Sequence, residues 1–273
     1  MCIRDSMNRI LSVPFAFGIV FFSFLCSLLI AGIFSALDPA ILSGADLGIF
    51  SYLALFFAQI FLVAPIAFFL IKNGYKLTEN FRFKSVSKNT LLFSLALSFG
   101  VVLISSELNI IIDSIFPIPD SFLNLDSFLS PENPFSLILV FLTVVIVAPI
   151  GEEMVFRGFL QRFLETSWND ITRAILVSSL FFTLIHFNPY WAIQIYLMGL
   201  ILGYLSWLTK SIYPSILLHM SINGTSMLFI FLGEGAENSL LWKGHIHPIL
   251  LAVGIFTAWY GLKNMHTKKQ VIS

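Results

Sequence analysis

Four ionisable side chains lie in or next to long apolar segments of the chain. Glu152 and Glu153 follow an apolar run that begins near Asn133, and His186 and His219 lie within two later runs. An ionisable side chain inside a membrane span costs about 2.5–3.5 kcal/mol on insertion scales, so such residues rarely persist without a partner or a function. These four residues are therefore the first candidates for chemistry.

Helical spacing groups these residues with two further polar side chains. Residues four apart share a helix face, so Glu153 can pair with Arg157, whereas Glu152 points about 100° away and stays free of that pair. The same spacing places His219 and Asn223 one above the other on a later helix. The sequence therefore predicts two groups of polar side chains on two helices, and His186 can add a third group from another helix.

These side-chain types are suited to the hydrolysis of an acyl bond. A glutamate with a histidine beside it can hold and deprotonate a water molecule, and Glu152 is the free carboxylate of the set. A second histidine and an amide can donate hydrogen bonds to a developing oxyanion. Other hydrolase layouts fit less well, because no glycine follows Ser226 to complete a nucleophile elbow and no aspartate falls within an apolar run.

A divalent metal such as zinc is an alternative use of the same residues. One glutamate with two histidines is a ligand set of catalytic zinc sites, and Glu152, His186 and His219 would be the ligands. Neither a His-Glu-x-x-His motif nor a cysteine cluster accompanies them, so the cofactor stays open. Simple hydrogen bonding between helices is a further alternative for each histidine taken alone.

The elements that carry these residues are predicted to be membrane-spanning helices. Of the 273 residues, 58% are hydrophobic and 11% are charged, and the mean hydropathy is +0.91. This composition excludes a soluble globular enzyme, a disordered chain and a nucleic-acid binder with a basic face. Two cysteines are too few for a disulfide framework. We therefore predict an all-α fold, a polytopic transmembrane helical bundle.

Charge-free runs of the length that a bilayer requires give about eight predicted spans. These runs are 10–36, 47–71, 89–106, 133–151, 174–187, 190–209, 212–232 and 246–262. The boundary between the fifth and sixth spans is placed at Asn188 and Pro189, because proline disfavours helix in the residue before it. The fifth span holds only about fourteen residues, which reach roughly 21 Å, so its depth stays open.

The basic residues predict the orientation of the chain. With a cytoplasmic N-terminus, every lysine and arginine except Lys243 lies on the inside, whereas the outside loops carry mainly acidic residues. This asymmetry is typical of the positive-inside rule. We expect an integral, multi-pass protein of the bacterial inner membrane with both termini in the cytoplasm.

The chain is expected to form one membrane domain without repeats or flexible linkers. Residues 1–9 are interpreted as an N-terminal tail, of which the first six precede a second start at Met7. Residues 10–132 hold the first three spans, 133–232 the catalytic core, and 233–273 the last span and a cytoplasmic tail. The proline-rich segment 116–134 predicts an outer loop with a short surface helix.

Gly199 and Gly203 form a small-residue pair in the sixth predicted span. Such a pair allows two helix backbones to approach closely. We interpret it as helix packing within one chain, with a homodimer face as the alternative. The sequence leaves the oligomeric state open.

The ordered set of motifs resembles the CAAX protease and bacteriocin-processing (CPBP, or Abi) family of intramembrane proteases, which includes the Ras-converting type. The resemblance covers about residues 146–227 and rests on Glu152-Glu153-x-x-x-Arg157, Phe182-x-x-x-His186 and His219-x-x-x-Asn223. It implies an α-helical, eight-span fold whose catalytic chamber lies in the membrane and opens toward the cytoplasm.

The resemblance also implies roles for these residues. Glu152 with His186 would activate water. His219 and Asn223 would form the oxyanion site. The next glutamate and its arginine partner would order the helix and tune Glu152. Members of the family are named metalloproteases, yet the same residues also fit a metal-free glutamate mechanism.

The implied partners are the lipid bilayer and a peptide or protein substrate at the membrane, either a prenylated CAAX-type or a bacteriocin-like chain. No nucleic acid is expected. Two alternatives stay open: a non-catalytic bacteriocin-immunity or regulatory protein, and an ion-coupled transporter. The lack of an inverted repeat in the sequence disfavours the transporter.

Overall fold

The computed structural model describes residues 11–39, 47–119, 129, 131 and 133–272. The predicted tail 1–9 and most of the predicted outer loop, with its short helix, lie outside the described residues. The elements are, in chain order, α1 (Val13–Ala36), α2 (Ile49–Lys72), α3 (Leu77–Asn80), α4 (Lys88–Ile115), α5 (Pro134–Trp168), α6 (Ile171–Leu184), α7 (Ala192–Thr209), α8 (Tyr213–Leu232), α9 (Glu234–Asn238), β1 (Leu241–Trp242), β2 (His245–Ile246) and α10 (Pro248–Ile272). The two strands form one antiparallel hairpin.

Each of the eight predicted spans corresponds to a helix. Within the described residues, six helices are long and apolar enough to cross a membrane: α1, α2, α4, α5, α7 and α8. The fifth predicted span is the shorter apolar helix α6, which begins before Arg173 and has 14 residues. The eighth predicted span is the first part of α10. The prediction of an all-α, polytopic membrane bundle is confirmed, and the chain is an integral, multi-pass membrane protein.

Helix α5 differs from the predicted span, which ended at residue 151. The helix instead continues to Trp168 and is 35 residues long. It is a composite, with π-helical stretches at Leu142–Val147 and Met154–Gln161 on either side of the α-helical segment Ala148–Glu153. π-helical turns are rare in proteins, and those that occur are often found at functional sites. The paired glutamates therefore lie between two such turns in the middle of a helix.

The core of the bundle surrounds α5. Its side chains Phe156, Phe159, Leu160 and Phe163 are almost completely buried, and they pack with residues of α1, α2 and α6. In a bilayer, close van der Waals packing holds helices together more than the exclusion of water does. The outer helices instead expose large apolar side chains, as lipid contact requires. Helix α5 is thus the central helix that the others enclose.

Helices α4 and α10 pack through small residues. A Cβ atom placed on Gly100 would lie 2.2 Å from the Gly254 carbonyl oxygen, and one on Gly261 would lie 2.5 Å from the Phe93 carbonyl oxygen. Both positions therefore require glycine, because the two backbones are in direct contact. Of this pair, α4 also packs against α8.

Candidate active site

A tight turn between α5 and α6 returns the chain toward the glutamates. Asn169 has a left-handed backbone (φ 51°) that ends α5, and the Asp170 side chain then accepts a hydrogen bond from the Arg173 amide to begin α6. At 1.5 Å per residue, α5 extends about 24 Å from Glu152 to the turn, and the chain extends about 22 Å from the turn back to His186. The turn therefore brings His186 level with Glu152.

Three polar atoms converge at this level. The Oε2 atom of Glu152 lies 4.0 Å from Nε2 of His186 and 3.8 Å from Nε2 of His219. The Glu152 side chain is 12% exposed, and its Oε2 atom is buried without a hydrogen-bond partner among the described residues. A buried carboxylate oxygen without a partner is costly, so a small polar molecule between these atoms would stabilise the site.

The second nitrogen of each histidine ring is bonded to an acceptor. Nδ1 of His219 lies 3.1 Å from a carboxylate oxygen of Glu153, and Nδ1 of His186 lies 2.7 Å from the carbonyl oxygen of Phe182. Because these oxygens accept, each Nδ1 carries the hydrogen. Both Nε2 atoms therefore face Glu152, and each has a lone pair while its ring is neutral.

Glu153 and Arg157 form the ion pair that their spacing predicts. Arg157 Nη1 donates to Glu153 Oε1 at 2.8 Å, and both side chains are at most 1% exposed. The guanidinium also lies 4.2 Å above the Phe182 ring and donates to the Gly199 carbonyl oxygen at 3.3 Å. Arg157 thus joins α5 to α6 and α7, while Glu153 orients His219.

Asn223 reaches the backbone of α5. Its Nδ2 atom donates to the carbonyl oxygen of Val144 at 2.9 Å, within the first π-helical stretch. In that stretch the amide of residue i+5 supplies the donor, as Ala148 does for Thr143. The next donor would be Pro149, which has no N–H. Asn223 therefore satisfies a carbonyl that proline leaves free, and one N–H of its amide remains for other contacts.

The six predicted site residues thus divide into two layers. Glu152, His186 and His219 face one another. Glu153 and Arg157 lie behind His219. Asn223 is on α8, as His219 is, and it lies beside the first π turn of α5. The expectation that the polar groups of three separate helices meet agrees with this arrangement.

Two further polar residues of α5, Gln161 and Glu165, lie on the same helix face as Glu153 and Arg157. Sequence analysis did not identify them as candidates. Gln161 Nε2 donates to the Gly203 carbonyl oxygen and to Glu165, both at 2.9 Å. Glu165 in turn pairs with Arg82. The sequence contained a signal for this row, because residues 153, 157, 161 and 165 are spaced four apart and share one helix face. Their partners on α7, however, are distant in sequence.

The two glycines of α7 allow this row of hydrogen bonds. A Cβ atom on Gly199 would lie 3.1 Å from Cβ of Ser179, and one on Gly203 would lie 2.7 Å from Oε1 of Gln161. Both glycines therefore face other helices of the same chain. This agrees with the interpretation of the pair as packing within one chain, and it exposes the α7 carbonyls to donors of α5.

The donor atoms of the site have the chemistry of a zinc site, but a wider spacing. Ligand atoms about 2.0–2.2 Å from a tetrahedral zinc ion lie roughly 3.4 Å apart, whereas Glu152 Oε2 is 3.8 and 4.0 Å from the two nitrogens. Within the described residues, no group of three His, Cys, Asp or Glu side chains is placed to hold a metal. Two hydrogen-bond partners of one tetrahedral water molecule lie roughly 4.6 Å apart at about 2.8 Å per bond, so the observed separations fall between the two cases and favour neither.

Comparisons with known proteins agree with the motifs. Residues 134–225 match the family model described as type II CAAX prenyl endopeptidase Rce1-like. The UPF0177 protein YbdI of Lactococcus lactis subsp. lactis (strain IL1403) is 34% identical over 91 residues, which are 33% of this chain and 48% of that protein. The match thus spans about half the length of this relative. No solved structure matches the chain.

The segment 134–225 contains all six candidate site residues. Helices α5, α6 and α7 and the first part of α8 fall within it. The resemblance drawn from the motifs is confirmed: this segment, about a third of the chain, is similar to the Rce1-like CAAX prenyl endopeptidase family.

Proposed function

We propose that the chain is an intramembrane endopeptidase that hydrolyses a peptide bond of a membrane-associated substrate. The observation that carries this proposal is the buried, unpartnered Oε2 atom of Glu152, which faces the Nε2 atoms of His186 and His219. A water molecule between these atoms could donate one hydrogen bond to Glu152 and one to a histidine nitrogen, which places it beside a carboxylate that can act as a general base. The family match supports peptide hydrolysis as the reaction.

In the proposed reaction, Glu152 removes a proton from the water while His186 Nε2 accepts the second hydrogen bond. The water oxygen attacks the carbonyl carbon of the peptide bond, and the carbonyl oxygen takes the electron pair. Glu152 then gives its proton to the leaving nitrogen as the carbon–nitrogen bond breaks. One glutamate thus serves as base and then as acid.

Oxyanion stabilisation is proposed for His219 and Asn223. The Nδ1 hydrogen of His219 is committed to Glu153, so the ring can donate from Nε2 only when it is protonated. Asn223 retains one amide hydrogen beyond the bond to Val144. Both donors would act in a site that is preorganised before the substrate arrives.

A divalent metal such as zinc is the alternative form of this proposal. Glu152, His186 and His219 would hold it, and it would supply Lewis-acid polarisation when bound. The hydrogen bonds at the two Nδ1 atoms are the contacts that orient metal-binding histidines. The same three residues would then be required, so the dependence of cleavage on a chelator, and not a substitution at one of these residues, separates the two forms.

The test uses the full chain in proteoliposomes with a farnesylated peptide that ends in a Cys-aliphatic-aliphatic-X sequence. Wild type should release the last three residues, measured by mass spectrometry of the products. Glu152→Gln should lower the rate on the order of 10²–10⁴-fold, because the amide cannot accept the proton. Glu107→Gln is the matched control at a distant glutamate and should keep the wild-type rate.

Two results would contradict the proposal. Cleavage by Glu152→Gln at the wild-type rate would remove the base. A wild-type chain that binds the peptide but releases no product would instead favour the non-catalytic regulatory or immunity function.

We also propose a bacterial inner-membrane location with both termini in the cytoplasm. The distribution of lysine and arginine supports this orientation. Reporter fusions at the C-terminus test it, since a phosphatase is active only outside the cytoplasm and a fluorescent protein folds inside it. Phosphatase activity at the C-terminus would contradict the orientation.

A further inference from the structure

A second cavity opens away from the glutamates. It has a volume of about 800 Å³ and lies where α3, the end of α5 and the turn between α7 and α8 meet. Its ionisable lining residues are Glu79, Arg82, Lys84, Arg162, Glu165 and Lys210. None of the six candidate site residues lines it. It lies at the end of the bundle that the basic residues assign to the cytoplasm.

The cavity is lined by more cationic than acidic side chains: four (Arg82, Lys84, Arg162 and Lys210) against two (Glu79 and Glu165). Glu165 forms an ion pair with Arg82, and both side chains are at most 9% exposed. Glu79 pairs with Lys76, a residue outside the cavity lining, at 3.4 Å. Glu79 and Glu165 also lie near enough to Arg162 to favour its charge, but two carboxylates cannot balance four cations.

Two cations of the cavity have no directly bonded carboxylate among the described residues. Arg162 donates to neutral oxygens only, the backbone carbonyl of Glu79 and the side-chain carbonyl of Asn80. Lys84 is exposed at the rim, and its backbone carbonyl accepts from Ser211 at 2.6 Å. The cavity thus presents excess positive charge, which favours an anion.

The walls of the cavity include residues with a left-handed backbone. Arg82, Asn169 and Lys210 all line it and have φ values of 54°, 51° and 56°. At Asn169 and Lys210 this left-handed conformation ends α5 and α7, as is common at helix C-termini, whereas at Arg82 it is uncommon. A hydrogen bond from the Ile212 amide to the Arg82 carbonyl, 3.2 Å long, holds two of these segments together. The cavity is therefore a built feature of the fold.

Aromatic contacts place the cavity at the depth of lipid headgroups. Trp207 lines the cavity, and the Lys210 ammonium lies 5.3 Å from its ring. The Arg173 guanidinium lies 4.4 Å from the ring of Trp168 at the same end of the bundle. Tryptophan with lysine and arginine is typical of the interface between membrane and water.

We propose that this cavity binds the phosphate of an anionic phospholipid headgroup, with Arg162 and Lys84 as its cationic contacts. Basic pockets between helices on the cytoplasmic side suit such headgroups. The guanidinium of Arg162 can bind phosphate through two parallel hydrogen bonds, and Lys84 adds a mobile point charge at the rim of the cavity. The proposal is independent of peptide cleavage.

The experiment measures binding of phosphatidylglycerol to the full chain in detergent by native mass spectrometry, with phosphatidylcholine as the zwitterionic comparison. The double variant K84Q/R162Q should weaken phosphatidylglycerol binding roughly 25-fold, about fivefold for each cation. The double variant K88Q/R173Q is the matched control. It removes two charges at the same end of the bundle but outside the cavity lining, and it should bind as wild type does.

The single variant Lys84→Gln serves if the double variant does not fold, because it changes only an exposed side chain. It should weaken phosphatidylglycerol binding about fivefold. Equal losses in the cavity variant and the control would overturn the proposal, as would equal binding of the two lipids. Glycerol 3-phosphate and a short acidic peptide serve as competitors. Displacement of the lipid by either one at equimolar concentration would assign the cavity to a soluble anion or to a peptide instead.

Discussion

The amide nitrogen of Asn223 donates a hydrogen bond to the backbone carbonyl oxygen of Val144, 2.9 Å away on another helix. The bond joins α8 to the π-helical stretch that precedes the glutamates. Pro149 explains why the carbonyl is free, because the residue that would bond to it has no N–H. A residue that the sequence suggests for oxyanion binding thus also holds the helix that carries Glu152.

The first prediction separates these two roles of Asn223. Asn223→Ala should lower the free energy of unfolding by about 1–3 kcal/mol, because the Val144 carbonyl loses its donor. In a Pro149→Ala background the new backbone N–H can bond to Val144, so the cost of Asn223→Ala should fall by about 1 kcal/mol. Thermal unfolding of the four proteins of this double-mutant cycle measures both quantities.

Peptide cleavage provides the second measurement of the same cycle. The Pro149→Ala background should restore stability but not the rate, because no donor replaces the amide at the oxyanion. Full recovery of cleavage in the double variant would restrict Asn223 to a structural role.

The second prediction concerns the buried ion pair between Glu153 and Arg157. Glu153→Ala should destabilise the chain by about 3–5 kcal/mol, since it leaves a buried guanidinium without its counter-ion. The variant should also cleave more slowly, because His219 loses the acceptor that orients its ring. Urea or thermal unfolding in detergent, together with the cleavage rate, checks both effects.

The matched comparison removes both charges at once. The double variant E153Q/R157M should be more stable than Glu153→Ala, because no unpaired charge stays buried. A Glu153→Ala protein as stable as wild type would show that the pair contributes no stability.

The sequence predicted the pairs that depend on local spacing, because residues four apart share a helix face wherever the helix lies. Glu153 with Arg157 is such a pair. The fourth predicted span ends at residue 151 because charge-free length sets its bounds, whereas the helix that carries it is longer. Glu152 and Glu153 ended the run in sequence, but Arg157 neutralises one of them inside the protein, and α5 continues to Trp168.

Hydrogen bonds from side chains to backbone carbonyls of helices distant in sequence could not be predicted. The hydrogen bonds of Gln161 use a backbone carbonyl of α7, and no side chain of α7 signals that contact. The partner of Asn223 is likewise a carbonyl oxygen. Pro149 carried a signal for it, but only the π-helical turn reveals which carbonyl the proline leaves free.

The third prediction tests the packing of α7 against α5. Gly203→Ala should lower the free energy of unfolding by about 1–3 kcal/mol, because its Cβ would lie 2.7 Å from the buried Oε1 atom of Gln161. Gly18→Ala is the control on α1, where nothing lies within 4 Å of the added atom. That variant should gain about 0.5–1 kcal/mol from helix propensity.

Light scattering separates packing within the chain from packing between chains. The mass of the Gly203→Ala particle should equal that of wild type, since the contact is made within one chain. A change of oligomeric state without a loss of stability would instead support the homodimer face.

The last prediction concerns metal dependence. In the proposed metal-free mechanism Glu152 activates the water directly, so treatment with a zinc chelator should leave the cleavage rate within about twofold of wild type. Metal analysis of the protein before and after chelation shows whether an ion was removed. A rate that falls with chelation and returns with added zinc would contradict the metal-free mechanism. Loss of zinc binding in His186→Ala and His219→Ala, but not in Asn223→Ala, would then identify the ligands.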